Sequence, residues 1–296
     1  MIRWHYRHAG LTVDSPVAIH DWAAFAIPAA AEADVTVDLA AFDPASPDTD
    51  RVEDEGRVIW IGGPAFARFR VVAGRTITVH PLPGVAPRQW LPFLLGSAWN
   101  ALCLQRGLLL LHASVVGGPD GAYAFCGPSG AGKSTTAARL MRRDLALLSD
   151  DLCRVDPGQP ALVHPSAPRL RLWADAVLAL GNDPATLTRV LDGRDKYLLP
   201  ADGRAEIAPV PLRGIFLLEW GAHRVERLTG LTGLSRLVRD ATFRPWMIDA
   251  MGLTARHWEQ CLALLGSVPL YLFRRPHDPS SLHTATDLDH PPWHDL

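Results

Sequence analysis

The chain has 296 residues, which bounds it to one large domain or two ordinary ones. Hydrophobic residues make up 48%, enough for a sizeable core, so a wholly disordered chain is excluded. Its 29 basic and 31 acidic residues leave a formal charge of −2 with no legible basic patch, so neither nucleic acid nor an acidic membrane surface is an expected partner.

Residues 1–85 read as a small β-rich domain. Val58–Ile61, Ala67–Val72 and Thr76–His80 are predicted strands, with a turn at Gly74-Arg75. A helix is expected over Ile19–Glu32, and Asp43–Arg57, rich in Asp, Glu, Pro and Ser, reads as a solvated loop. Residues 86–275 read as a second domain, opened by a helix over Pro87–Gln105 whose large apolar residues recur at helical spacing. That helix carries Pro92, Ser97 and Asn100, which favours burial in protein over a membrane span. Leu108–Val116 is one apolar run and reads as a single buried strand. The turn Gly117–Gly121 then leads to a second strand, Ala122–Cys126, so the two should form an antiparallel hairpin.

Further along, Lys133–Arg143 is a predicted helix and Leu145–Ser149 a strand. Ala161–His164 and Arg169–Trp173 read as strands, Ala174–Leu180 and Pro184–Leu191 as helices. Gly214–Trp220 is a buried strand with Arg224–Leu228 as its expected partner. Helices at Thr232–Thr242 and Thr254–Leu265 and a strand at Leu270–Arg274 follow; residues 276–296 read as an irregular tail. Cys103, Cys126, Cys153 and Cys261 are widely spaced, which argues against a disulfide scaffold and fits a cytoplasmic location. The N-terminal residues lack the apolar stretch of a secretory signal.

The chemistry concentrates at Gly127-Pro128-Ser129-Gly130-Ala131-Gly132-Lys133-Ser134, a full G-x-x-x-x-G-K-[ST] phosphate-binding loop between a strand and a helix. The glycines free the backbone to turn its N–H groups toward phosphate oxygens, and the helix start adds its positive dipole end. Lys133 supplies a point charge, and the hydroxyl of Ser134 is a candidate magnesium ligand, with Thr135 beside it. Only Lys133 and Lys196 among the 29 cations are lysine, so a lysine kept in the loop stands out.

Asp150-Asp151 ends the strand that returns after the helix, 16 positions beyond Ser134. One carboxylate could hold Mg²⁺ and the other could take or orient a proton, and spacing does not decide which does which. Adjacent residues on a strand face opposite ways, which argues for separate roles. Pairing Val116 near Ala122 would put His112 opposite Cys126, where it could tune an active-site Asp. Lys196 and Arg194, in a charged loop, are candidate phosphate or substrate contacts, against a plain surface-loop reading. Arg169 and Arg171 alternate on a strand; they could meet a phosphate or a carboxylate, with a solvated face as the simpler expectation.

In order, His112 in Leu-Leu-His-Ala-Ser, the hairpin, the loop Gly127–Ser134 and Leu-Ser-Asp-Asp at 148–151 resemble the HPr kinase/phosphorylase superfamily. This superfamily shares its core with ATP-dependent phosphoenolpyruvate carboxykinases. Pro211–Glu219 is also similar to a strand of its smaller relatives, the HPr kinase-related proteins of peptide-modification systems, including lasso-peptide precursor kinases. The resemblance covers about 107–275. It implies an α/β fold with a P-loop core, a mixed sheet flanked by helices, and transfer of phosphate from ATP with Mg²⁺ to a serine hydroxyl. It also implies that Asp150 and Asp151 supply the base and a metal ligand, with His112 assisting. Thr135 stands where HPr kinases carry Glu, and no phosphorylase signature follows, so the implied acceptor is a peptide or protein serine other than HPr. A small peptide-recognition protein is a candidate partner, and because this superfamily often assembles, a homo-oligomer is an expectation too. A kinase of free small molecules and a non-catalytic ATP-binding assembly factor are the competing readings.

Overall fold

A computed structural model describes residues 2–29, 32–62, 65–166, 169–200 and 208–276. It is an α/β protein of mixed sheets flanked by helices, with a β-rich N-terminal region. The chain divides into two compact units, one of Met1–Leu110 with Phe243–His257, the other of Leu111–Thr242 with Trp258–Leu296. Most of the tail expected at 276–296 lies outside the described residues. Among the described residues no helix is long and apolar enough to cross a membrane.

The first unit is built on a seven-stranded sheet in the order Trp4–His8, Leu11–Ser15, Val35–Leu39, Thr76–Pro81, Ala67–Val72, Val58–Ile61, Arg51–Glu53. Alternation along these strands buries Val35, Val37, Ile59, Phe69, Val71, Ile77 and Val79 on one face. The three strands expected between 58 and 80 are present, the last running on to Pro81. The segment Pro87–Gln105 is helical throughout, but Leu94–Ala98 forms a wider turn just after Pro92, which has no N–H to give a regular ladder. Two expectations fail in this unit. In place of a helix over Ile19–Glu32 there is a single turn, His20–Phe25. Ile27 N–H donates to His5 O at 2.9 Å and Ala26 bridges to Tyr6, so the edge strand takes the backbone a longer helix would need. The loop expected over Asp43–Arg57 contains the edge strand Arg51–Glu53, recruited by pairing with Val58–Ile61.

In the second unit Gly121–Cys126 lies between Ala113–Gly118, antiparallel, and Val210–Trp220, parallel. Ala146–Ser149 pairs outside Ala113–Gly118, and Leu270–Arg275 runs parallel to Val210–Trp220 on its far side. Cys126, Ser149, Trp220 and Arg275 therefore all end at one edge of the sheet. The helix Lys133–Met141 and a three-stranded sheet of Arg169–Trp173, Lys196–Pro200 and Thr188–Arg189 cover one face. Beneath them Phe125, Phe216 and Tyr271 stack with centroids 5.5 and 5.2 Å apart, each ring pair adding about 0.5–1.5 kcal/mol beyond its buried area.

The hairpin is present, but Leu108–Val116 is not one strand. It breaks at His112, whose N–H leaves the ladder and donates to Ala241 O at 2.8 Å. Pro184–Leu191 is a short turn, Pro184–Thr186, capped by Asp183, followed by Thr188–Arg189 paired to Tyr197–Leu198. Arg224–Leu228 pairs with Leu270–Arg275 rather than with Gly214–Trp220, because the later strand inserts between them.

Candidate functional site

The strand Gly121–Cys126 runs into the loop 127–132, and the helix Lys133–Met141 starts on the next residue. Gly127 and Gly132 hold φ of 143° and 83°, where a side chain is strained. Space is also tight: a Cβ would lie 3.1 Å from Leu218 O at Gly127, and at Gly132 it would lie 2.4 Å from the Arg275 guanidinium, which would have to move. Pro128, Ser129 and Gly130 form an exposed crest over buried Ala131, whose N–H closes the turn on Pro128 O at 3.1 Å. Lys133 is buried, and its ammonium donates back to Gly127 O at 2.7 Å and Pro128 O at 3.2 Å. Burial pushes its pKa down, opposed by Cys126 and the two aspartates. A cation whose hydrogen bonds, among the described residues, go to loop carbonyls is suited to receive an anion there.

Asp150 is the hub. Its Oδ1 accepts from Ser134 Oγ at 2.9 Å and from Ser114 Oγ at 2.6 Å, and its Oδ2 accepts from Arg171 N–H at 2.9 Å. Burial first and the neighbouring Asp151 carboxylate second raise its pKa, and the three donors offset only part of that. Asp151 binds the Arg171 guanidinium at 2.7 Å. Burial acts to raise its pKa, but Arg171, Lys196 and His112 outweigh burial and hold it below the usual range.

The two carboxylates do not face opposite ways, as strand alternation predicts. The strand stops at Ser149, and Asp151 takes a φ of 72° in a turn pinned by Ser149 Oγ donating to Leu152 O at 2.8 Å. Both acids thereby converge on Arg171, one on its backbone and one on its side chain. A non-glycine residue held in that conformation stores strain of the kind that gathers at functional turns.

His112 lies one residue away from its predicted register. Val116 pairs with Tyr123 and Ala113 with Cys126, so His112 falls just past the ladder at the level of the loop. Burial first, then Lys133, pushes its pKa down to about 4, so it is neutral at pH 7, while Asp151 pulls the other way. Lys196 lies opposite Trp173 in the ladder with its ammonium 5.9 Å from that ring, and its charge acts on Asp151, His112 and Lys133. Arg194 is exposed in the preceding turn, and among the described residues no hydrogen bond or ion pair joins it to the aspartates.

One partner, Ser114, escaped the sequence reading, and a second, Arg171, stands there only as an open alternative. Ser114 shows only as a polar residue in an apolar run, two positions after His112. Arg171 had a signal, its alternation with Arg169, and the carboxylate it meets is Asp151. Among the described residues no cluster of three or more His, Cys, Asp or Glu side chains could chelate a metal alone. Ser134 and Asp150 do offer hard oxygen donors side by side. That suits a magnesium ion whose remaining ligands are phosphate and water. No protein-family model matches the chain, and no curated protein matches it.

Proposed function

We propose that this chain is a Mg²⁺/ATP-dependent kinase of the HPr kinase-like type, with a P-loop core. In this reading it transfers the γ-phosphate to a serine hydroxyl of a protein or a ribosomally made precursor peptide. The observation that carries it is the 2.9 Å contact between Ser134 Oγ and Asp150 Oδ1. Two residues 16 positions apart meet beside the loop lysine, where a phosphate-bound cation has to be held.

In this reading the loop N–H groups and Lys133 grip the phosphates, Lys133 exchanging its two carbonyl partners for phosphate oxygens. Ser134 and Asp150 would hold a magnesium ion, whose charge would offset that on the transferring group. Asp151 orients the acceptor serine and takes its proton; a loose transition state needs positioning more than a strong base. Arg171 fixes both carboxylates. Cationic Lys196 biases Asp151 and the incoming phosphate, with His112 beside them neutral. In the first unit the sheet ends on Trp4–His8, whose outer edge is partly taken by Ala26 and Ile27, and on Arg51–Glu53, and the latter edge is the candidate to receive an extended peptide.

The test is incubation with γ-labelled ATP, Mg²⁺ and the peptides and proteins encoded beside its gene, followed by mass spectrometry. The expected result is a phosphoserine on one of them that disappears with Lys133→Ala. Label found only on a free metabolite, or on nothing although ATP binds, would overturn the reading.

A further inference from the structure

The second unit also holds a cavity of about 390 Å³, lined by Tyr123, Phe216, Tyr271, Arg213, Arg227 and Asp120. That volume is of the size that takes a small metabolite. Tyr123 stands four residues before Gly127, so the cavity begins about 13 Å back along the strand from the phosphate loop. Ala122 pairs with Leu212 and Tyr123 with Gly214, which makes Arg213 the extra residue of a bulge, a device that re-aims a side chain. Arg213 Nε donates to Asp120 O at 2.6 Å, and this ties the guanidinium across Gly121. Gly121 takes a φ of 131° and puts nothing in the way: a Cβ there would lie 2.7 Å from Arg213 Cγ and 2.6 Å from Pro211 O. Arg227 arrives from the strand Arg224–Leu228, opposite Tyr271 in the ladder. A Cβ on Gly214 would lie 3.3 Å from the Phe216 ring and 3.6 Å from Tyr123, so the glycine leaves the space between those rings open.

The lining sets two guanidiniums against one carboxylate, that of Asp120. Among the described residues no side-chain hydrogen bond or ion pair holds Arg227, and the bond of Arg213 runs from Nε to a main-chain oxygen, which leaves its Nη groups for another acceptor. The strand Leu270–Arg275 separates the two arginine-bearing strands, so the side chains start about 10 Å apart across the sheet with aromatic rings between them. A guanidinium is a fork matched to carboxylate and phosphate oxygens. A bare inorganic ion would leave the rings unused, and a neutral apolar molecule would leave the arginines unused. We propose that this cavity binds a small organic anion, its carboxylate or phosphate held by Arg213 and Arg227 and its apolar body against the aromatic lining. The site uses none of Lys133, Ser134, Asp150 or Asp151, so it stands apart from the kinase reading.

The test is titration calorimetry of the full chain with phenyl phosphate and benzoate, against benzyl alcohol as the neutral counterpart and inorganic phosphate as the anion without a body. At least one aromatic anion should bind, more tightly than benzyl alcohol or inorganic phosphate, and which of the two binds tells phosphate from carboxylate. Arg227→Gln and Arg213→Gln should each weaken that anion roughly 10-fold or more, with the thermal midpoint of the unliganded protein unchanged. Lys133→Ala, verified as folded by its thermal transition, should bind it like wild type. Loss of binding in that folded variant would move the anion to the phosphate loop and overturn the site. So would binding of neither aromatic anion, equal binding of benzyl alcohol or inorganic phosphate, or full affinity in either arginine variant.

Discussion

The two units bury polar groups in opposite ways. In the first, His8 is enclosed by aromatic rings: it stacks on Trp22 at 3.9 Å, meets Trp99 edge-on at 5.0 Å, and its Nδ1 has no hydrogen-bond partner among the described residues. In the second, Asp150 is equally enclosed but accepts three hydrogen bonds and sits against a second carboxylate. His8 is a flat filler whose charge is simply forbidden. Asp150 is a charge kept in place by donors, one of which, Ser134, is needed elsewhere if a cation arrives. Burial alone therefore does not mark a site. A marked site has buried charge, a matched set of donors and a strained turn together.

Five substitutions break or sharpen that contrast. The largest effect is expected for Lys133→Ala or Asp150→Asn, which should cut phosphoryl transfer by at least about 100-fold in a labelled-ATP assay. His8→Phe should leave turnover unchanged. Equal loss in all three would erase the distinction between the regions. Next, Arg171→Ala removes the cation paired with Asp151 while leaving the backbone N–H that Asp150 accepts from, and should lower stability by about 1–3 kcal/mol in chemical denaturation. It should also move the acidic limb of the pH–rate profile upward, since Asp151 loses its strongest charge partner; an unmoved limb would detach Asp151 from the proton step.

Third comes acid sensitivity of the first unit. Burial depresses the His8 pKa to about 3, below its ordinary value of about 6.5. Between those values the unfolded chain binds the extra proton, so stability falls as pH drops below about 6.5. The loss at pH 5 should be about 2 kcal/mol relative to pH 7, and His8→Phe should flatten it. Hydrogen exchange resolved by region places the effect at Trp4–Phe25. A slope unchanged by His8→Phe would assign the acid sensitivity to other groups. The smallest effect is expected for Arg194→Ala, in an exposed turn: within about 0.5 kcal/mol in stability, with turnover close to wild type. A large loss of activity there would extend the site beyond Lys196.

The strands between 58 and 80, the hairpin into Gly127 and the helix after Gly132 were legible because each is specified by neighbours: alternation, turn residues, glycines at fixed offsets. Failures cluster where distant chain competes for the same backbone groups. His5 takes the N–H of Ile27, Ala241 takes that of His112, and Leu270–Arg275 displaces Arg224–Leu228 from its expected partner. The acid pair shows both halves of the lesson. Its position after the loop could be counted, but its convergence needed the left-handed turn at Asp151 and the arrival of Arg171, 20 residues on.

What the amino-acid order determined by itself is the glycine loop with its lysine and hydroxyl, the two acids that follow, and an α/β chain with a β-rich start. Those features are written in short-range spacing, where backbone geometry leaves few choices. Only the tertiary structure decided that Ser114 and Arg171 join Asp150 and that Arg213 and Arg227 line one cavity. Strand order and register bring these residues together, and such pairings depend on which distant segments bury one another best, which no local period encodes.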